Sequence, residues 1–424
     1  MNMFMCCYND PDMLIDPDTV YPTRPECRDE APKSRFKPIP RRTLSPRRWK
    51  LLFNEEGRLD VAGMILRVQR GGIHPTIKGE VWEFLLGCFD PKSTTEQRNQ
   101  LRQQRRLEYE KLKTRCREMD TTVGSGRVIT MPVITEDGQP IEDPNSDGGA
   151  RPSSVGSEQQ TNGAPLPKEI IQWKLLLHQI GLDVNRTDRT LVYYESQENL
   201  ARLWDILTVY AWVDKEIGYC QGMSDLCSPI SIILEHEADA FWCFERLMRR
   251  VRGNFQSTST SIGVRSQLTT LSTIMKAVDP KLHEHLENLD GGEYLFAFRM
   301  LMVLFRREFS FVDTMYLWES LFSMLESNSA TSSVDSKDQN ALKQCGKFER
   351  KKLQAAKKDE QIPISVFVVA SVLEAKNKRL LGEAKGLDDV VKILNEITGS
   401  LDAKKACRSA LQIHEKYLAT VTAS

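Results

Sequence analysis

Long apolar runs are missing from this 424-residue chain. The most extended, Ile364–Leu373 and Leu301–Phe305, fall well short of the roughly 18–20 residues that span a bilayer, so no transmembrane segment is expected. Net charge is missing as well: 58 basic and 58 acidic side chains cancel. That balance leaves no global field to gather nucleic acid or an anionic polymer, and no nucleic-acid partner is expected. The N-terminus carries Asp10, Asp12, Asp16 and Asp18 where a secretory signal would need a basic and then an apolar stretch. Asn2 does not permit myristoylation, and Val421–Ser424 is no prenylation box. The ten cysteines include no C-x-x-C pair, and none of the six histidines stands at zinc spacing from them. Neither a structural metal nor a disulfide framework is expected, and reduced thiols fit a cytoplasmic protein. Cys6 and Cys7 are read as free thiols in a loose tail rather than as acylation sites.

Phosphate-cradling and hydrolase motifs are also absent. There is no G-x-x-x-x-G-K-[ST], no G-x-G-x-x-G and no G-x-S-x-G, so the chain has no evident means of binding a nucleotide or of running a serine hydrolase by itself. His283 and His285 are two apart. On a helix they would face apart, and a solvated pair is expected rather than a metal site.

What is present is helical periodicity. Hydrophobic residues make up 40% and charged residues 27% of the chain, enough apolar material for a sizeable core. Residues 1–58 mix Pro, Arg and Asp with little period and are read as an extended, partly disordered leader. A helical domain is expected over 59–424, with low-complexity insertions at 121–167 and 327–361. Leu200, Leu203, Trp204, Leu207 and Ala211 form one apolar stripe, and so do Val264, Leu268, Leu271, Met275 and Val278. Tyr294–Phe305 is apolar nearly all round and predicts a buried helix. Residues 93–119 are so polar that an exposed helix is expected. Val128–Thr130 and Val133–Thr135 look like strands, but two short runs make no sheet. The fold class is therefore all-α.

One constellation stands out. Ile180–Arg189 packs Asp183, Arg186, Asp188 and Arg189 into a stretch whose Asp, Asn and Thr residues favour a turn or helix start. Further along, Tyr219, Gln221 and Gly222 lie in Gly218-Tyr219-Cys220-Gln221-Gly222-Met223, where flanking glycines let a tight backbone project an amide outward. Alone, an Asp-x-x-Arg spacing is most often an ion pair and a Tyr-x-Gln-Gly a turn. The helix around Leu200–Trp212 separates the two and can bring them to one surface.

Together, Ile180-x-x-Asp183-x-x-Arg186 and Tyr219-x-Gln221-Gly222-Met223 resemble the paired signature of the TBC family, the Rab GTPase-activating proteins. Arg70-Gly71-Gly72-Ile73 with Val81-Trp82 is similar to that family's opening motif. Asp239–Phe244, Phe309-Ser310-Phe311 and Leu317-Trp318-Glu319 resemble its later helices. Lys78 departs from the arginine usual before the Val-Trp pair.

The resemblance implies a single large multi-helix TBC domain that supplies two side chains in trans to a Rab-family small GTPase and so regulates vesicle traffic. Arg186 would be an arginine finger and Gln221 a glutamine finger orienting the attacking water. Asp183, Arg189, Tyr219 and Gly222 would support them. The chain itself would bind no cofactor, because GTP and Mg²⁺ reside on the partner. Peripheral membrane association would come through that partner, placing a cytoplasmic protein at endomembrane surfaces. The alternative is a non-catalytic adaptor that binds a Rab through the same surface.

Overall fold

A computed structural model describes residues 15–131, 134–135, 167–256, 263–334 and 362–423. Helices dominate these residues, and the β-type pairing consists of isolated bridges such as Thr23 with Leu191 and Leu44 with Ile73. The all-α expectation holds. Among the described residues, no helix is long and apolar enough to cross a membrane.

The helices that place the site are α1 (Val61–Gly71), α2 (Lys78–Leu85), α3 (Thr95–Met119), α4 (Lys168–Arg186), α5 (Gln197–Val213), α6 (Met223–Ile233) and α7 (Glu237–Val251). The second half comprises α8 (Gly263–Val278), α9 (Pro280–Asn288), α10 (Phe311–Val334), α11 (Ile364–Glu383), α12 (Leu387–Asn395) and α13 (Ala403–Ala423). In the first half α5 is the hub, packed against α3, α4, α6 and α7. Its stripe is wider than the sequence suggests: every residue from Leu203 to Ala211 is buried, Asp205 and Thr208 included. In the second half α8, α10, α11 and α13 pack on one another, and α1 and α2 lie against α10 to join the halves.

That joint contains a buried ion pair. Lys78 bonds through Nζ to Glu319 Oε1, with both side chains almost wholly removed from solvent. Trp82 Nε1 and the Ile73 amide also donate to the Glu319 carboxylate, each at 3.2 Å. Burial pushes the Glu319 carboxyl upward and the Lys78 ammonium opposes it. Lys78, the departure noted in the opening motif, is thus fully engaged by a buried carboxylate.

Several expectations need correction. The residues read as a loose leader pack in their described part: Phe36, Leu44, Trp49 and Leu52 belong to the common core. Apolar residues this few, on one short helix and the irregular chain around it, still anchor a segment that shows little period. Cys6 and Cys7 lie outside the described residues.

Two other helical readings change with the packing. Tyr294–Phe305 is not one helix but a tight turn and the short helix Phe298–Met302, followed by Leu304 and Phe305 at φ of 47° and 62°. It is apolar all round because it is surrounded, and Trp318 Nε1 donates to Leu304 O at 2.7 Å to hold the turn. α3 is docked rather than free. Arg102 reaches Glu83 at 2.6 Å, Arg106 reaches Asp239 at 2.6 Å, and Lys113 reaches Asp205 and Glu237 at 2.9 and 2.6 Å. A polar face matched to carboxylates of α2, α5 and α7 carries no apolar periodicity to read.

His283 is buried with Nδ1 3.0 Å from the Tyr294 hydroxyl, and His285 Nε2 is 3.0 Å from Leu380 O, so the pair is not solvated. At the first insertion, Val123 and Ile129 are buried and Val128–Thr130 forms no strand. The second insertion begins later than 327, because α10 continues to Val334. The stretches 136–166 and 335–361 lie outside the described residues.

Two measurements test this account. Lys78→Ala strands a buried carboxylate and is expected to cost about 3–5 kcal/mol in chemical denaturation, with Lys78→Met/Glu319→Gln costing far less. Glu83 is held up to about 7 by burial, against the opposing Arg102 charge, from an ordinary value of 4.5. Its folded carboxyl therefore binds a proton more readily than the unfolded one. Its contribution is full below about pH 4.5 and is lost as pH rises to about 7, roughly 3 kcal/mol in all. Glu83→Gln should flatten the slope of stability against pH across that window.

Candidate functional site

The expected turn or helix start at Ile180–Arg189 is instead the last turn of α4 and the loop that leaves it. Trp173, Leu177, Ile180 and Val184 keep a continuous buried edge on α4, and that burial outweighs the local preference of Asp, Asn and Thr for turns. Arg186 is the final helical residue. One turn earlier, Asp183 points inward and is 4% exposed.

Asp183 touches both halves of the constellation. Its Oδ1 lies 2.5 Å from an Arg186 guanidinium nitrogen, and its Oδ2 accepts from the Tyr219 hydroxyl at 2.7 Å. Tyr219 is buried, and burial followed by the Asp183 charge pushes its phenol well above the ordinary range. The phenol therefore stays protonated and donates. This single carboxylate ties the end of α4 to the segment that carries Gln221.

That segment is a backbone-determined loop between α5 and α6. Gly218 N donates to Asp214 O at 2.7 Å, and Met223 N to Cys220 O at 3.1 Å. Gly218 and Gly222 take φ of 63° and 101°, and a Cβ on Gly222 would come within 2.7 Å of Val303 Cγ1. Gly222 is therefore required by conformation and by space. Asp214 is gripped by Arg252 at 2.8 and 2.9 Å, a hydrogen bond that holds its carboxyl below the ordinary range. Gln221 is exposed at the tip.

Arg186 and Gln221 line the same cavity, of about 280 Å³, with Asp183, Thr187, Asp225 and Arg307. The Arg186 side chain is 56% exposed, so it is held by Asp183 and yet open to solvent. Thr187 Oγ1 lies 2.7 Å from Asp183 O and 2.8 Å from Ser224 Oγ, which fastens the loop to α6. Asp225 pairs with Arg307 at 2.8 Å; burial raises its carboxyl, with Arg307 opposing.

Arg189 sits apart from this network. It is exposed and forms no ion pair among the described residues. Its neighbour Asp188 turns inward at φ of 48°, accepts from Ser228 Oγ at 2.6 Å and pairs with Arg306. Ser224, Asp225, Arg306 and Arg307 were not singled out from the sequence. Arg306 stands 118 positions from Asp188, so no local spacing announces the pair.

Residues 153–333, which contain both Arg186 and Gln221, match the family model of the Rab-GTPase-TBC domain. Over that stretch the chain is similar to TBC-domain proteins. Among its relatives is Rab GTPase-activating protein 22 of Arabidopsis thaliana, 29% identical, with 95% of this chain and 86% of that protein covered. TBC1 domain family member 17 of Homo sapiens is 28% identical over 88% of this chain, and the match spans 46% of that protein. GTPase-activating protein gyp7 of Schizosaccharomyces pombe is 28% identical, with 84% of this chain and 40% of that protein covered. The chain thus spans less than half the length of these last two. The Ypt/Rab-GAP domain of Gyp1p has the same fold, with a TM-score of 0.56 and 18% identity over 88% of this chain and 97% of that one.

Tyr219→Phe tests the shared carboxylate. It removes the donor to Asp183 Oδ2 and leaves a buried acceptor unmet, so about 1–3 kcal/mol should be lost in thermal denaturation.

Proposed function

We propose that this chain accelerates GTP hydrolysis by a Rab-type small GTPase, lending it the guanidinium of Arg186 and the carboxamide of Gln221. One observation supports the reading above the others. Two exposed side chains of these types rim one cavity, while a buried carboxylate holds both of their segments. The printed names of the plant and yeast relatives point the same way.

In phosphoryl transfer, negative charge moves onto the leaving and equatorial oxygens. A guanidinium brought there neutralises it, an effect worth roughly 10³ to 10⁵ in rate, or about 4–7 kcal/mol. Asp183 keeps Arg186 extended from the end of α4 before the partner arrives, which lowers the entropy lost on docking. Gln221, on a loop fixed by two positive-φ glycines, would align the attacking water through its amide. GTP and Mg²⁺ belong to the partner in this scheme, and the chain would reach endomembrane surfaces through it.

Single-turnover GTP hydrolysis by a panel of purified Rab GTPases tests the proposal. Arg186→Ala should lose about 10³-fold or more of the acceleration. Arg186→Lys should lose nearly as much, because an ammonium lacks the planar fork. Gln221→Ala should also lose acceleration, and all three should retain binding of the GTP-loaded partner. Binding without acceleration of any Rab by the wild-type protein would favour the adaptor instead.

A further inference from the structure

We propose that the segment Tyr21–Arg24 is a strap that positions the arginine finger, and that Arg24 is a positioning residue for the GTPase-activating reaction. The inference rests on the reading of Arg186 given above. It concerns residues outside the 153–333 stretch that matches the family model.

Arg186 ends its helix, so beyond its tie to Asp183 its position depends on how the chain that follows it is held. That chain turns sharply at Asp188 and returns through Thr190, Leu191 and Val192. Asp188 is fastened by Ser228 and Arg306. The far end of the loop is fastened by the strap. Arg24 N donates to Thr190 O at 2.8 Å, and Val192 N donates to Pro22 O at 2.9 Å, around the antiparallel bridge of Thr23 with Leu191. The Arg24 side chain adds Nε to Leu191 O at 3.4 Å and lies 3.7 Å from Glu195.

The strap is itself anchored in the other half of the molecule. The Tyr21 ring meets Phe311 edge-on at 5.2 Å. The Arg35 and Phe36 amides donate to Asp313 at 2.8 and 3.1 Å, and the Phe36 ring stacks on Tyr316 at 4.3 Å. Residues 21–36 thus connect the backbone beyond the finger to α10. The same segment walls a cleft of about 510 Å³ in which Tyr21 and Thr23 face Arg186 and Arg189. These contacts set where the loop stands. A displacement of about 1 Å at a catalytic group costs up to about 10²-fold in rate.

Arg24→Pro is the discriminating variant in the full chain. Arg24 already has φ of −54°, within the range proline imposes, and Thr23 before it is extended in the bridge, so the substitution removes the N–H without twisting the backbone. Arg24→Ala removes only the guanidinium contacts. The measurement is kcat and KM with a GTP-loaded Rab-type GTPase that the wild-type protein accelerates. Arg24→Pro should lower kcat by about 10- to 100-fold with KM within about twofold of wild type, and Arg24→Ala should lower kcat by a few-fold.

If Arg24→Pro does not fold, the kcat of Arg24→Ala decides. Unchanged kcat in the variants overturns the strap while leaving the finger assignment standing. A raised KM with unchanged kcat also overturns it, since that marks a direct partner contact. A wild-type protein that accelerates no Rab overturns the finger assignment and the strap together.

Discussion

The Asp183 carboxylate is buried, yet its two oxygens face groups from different parts of the chain, the Arg186 guanidinium on one side and the Tyr219 hydroxyl on the other. Removing a carboxylate from water is costly unless each oxygen is met. The end of α4 and the loop before α6 are therefore held where both partners reach the same anion. The need to satisfy one buried charge couples two surface side chains that are 35 positions apart in the chain. Thr187 and Ser224 reinforce the same joint from below, so the rim of the cavity inherits the rigidity of the core.

The same strategy recurs away from the site. Lys78 and Glu319 join the two halves through charge, and α3 docks through arginines and a lysine set against carboxylates of α2, α5 and α7. Such pairs add little net stability compared with well-packed apolar side chains. Each does, however, punish displacement, because a shifted helix would leave a carboxylate unpaired. Glu83 shows how incomplete that compensation is: with Arg102 beside it, its carboxyl still titrates near neutrality.

The sequence made the helical class legible because α8 and α5 bury apolar residues at 3.6-residue spacing. It also pointed to Arg186 and Gln221, which the folded chain brings to one cavity. It failed where structure is not periodic. Phe36 and Leu44 are single anchors in an irregular segment and Trp49 sits on the five-residue helix Pro46–Lys50, and they look the same as residues in a loose tail. The turns at Tyr294, Leu304 and Phe305 need positive φ in large side chains, which only tertiary packing enforces. Asp188 with Arg306 and Asp225 with Arg307 are pairings across the fold, invisible to any local window. Arg189, chosen for its nearness to Arg186, points outward because its neighbour takes the inward turn.

Gly181 lies on α4 between the buried Ile180 and Asp183, and a Cβ there would come within 1.7 Å of Ile129 O. The backbone entering the first insertion therefore rests directly on the helix that ends in Arg186. Asp120 is tied to Lys174 at 2.9 Å, and the Gly124 amide to Asp205 at 2.9 Å, so the chain is pinned at several points before it departs. These moorings tie α4 and α5 to the backbone of residues 120–129.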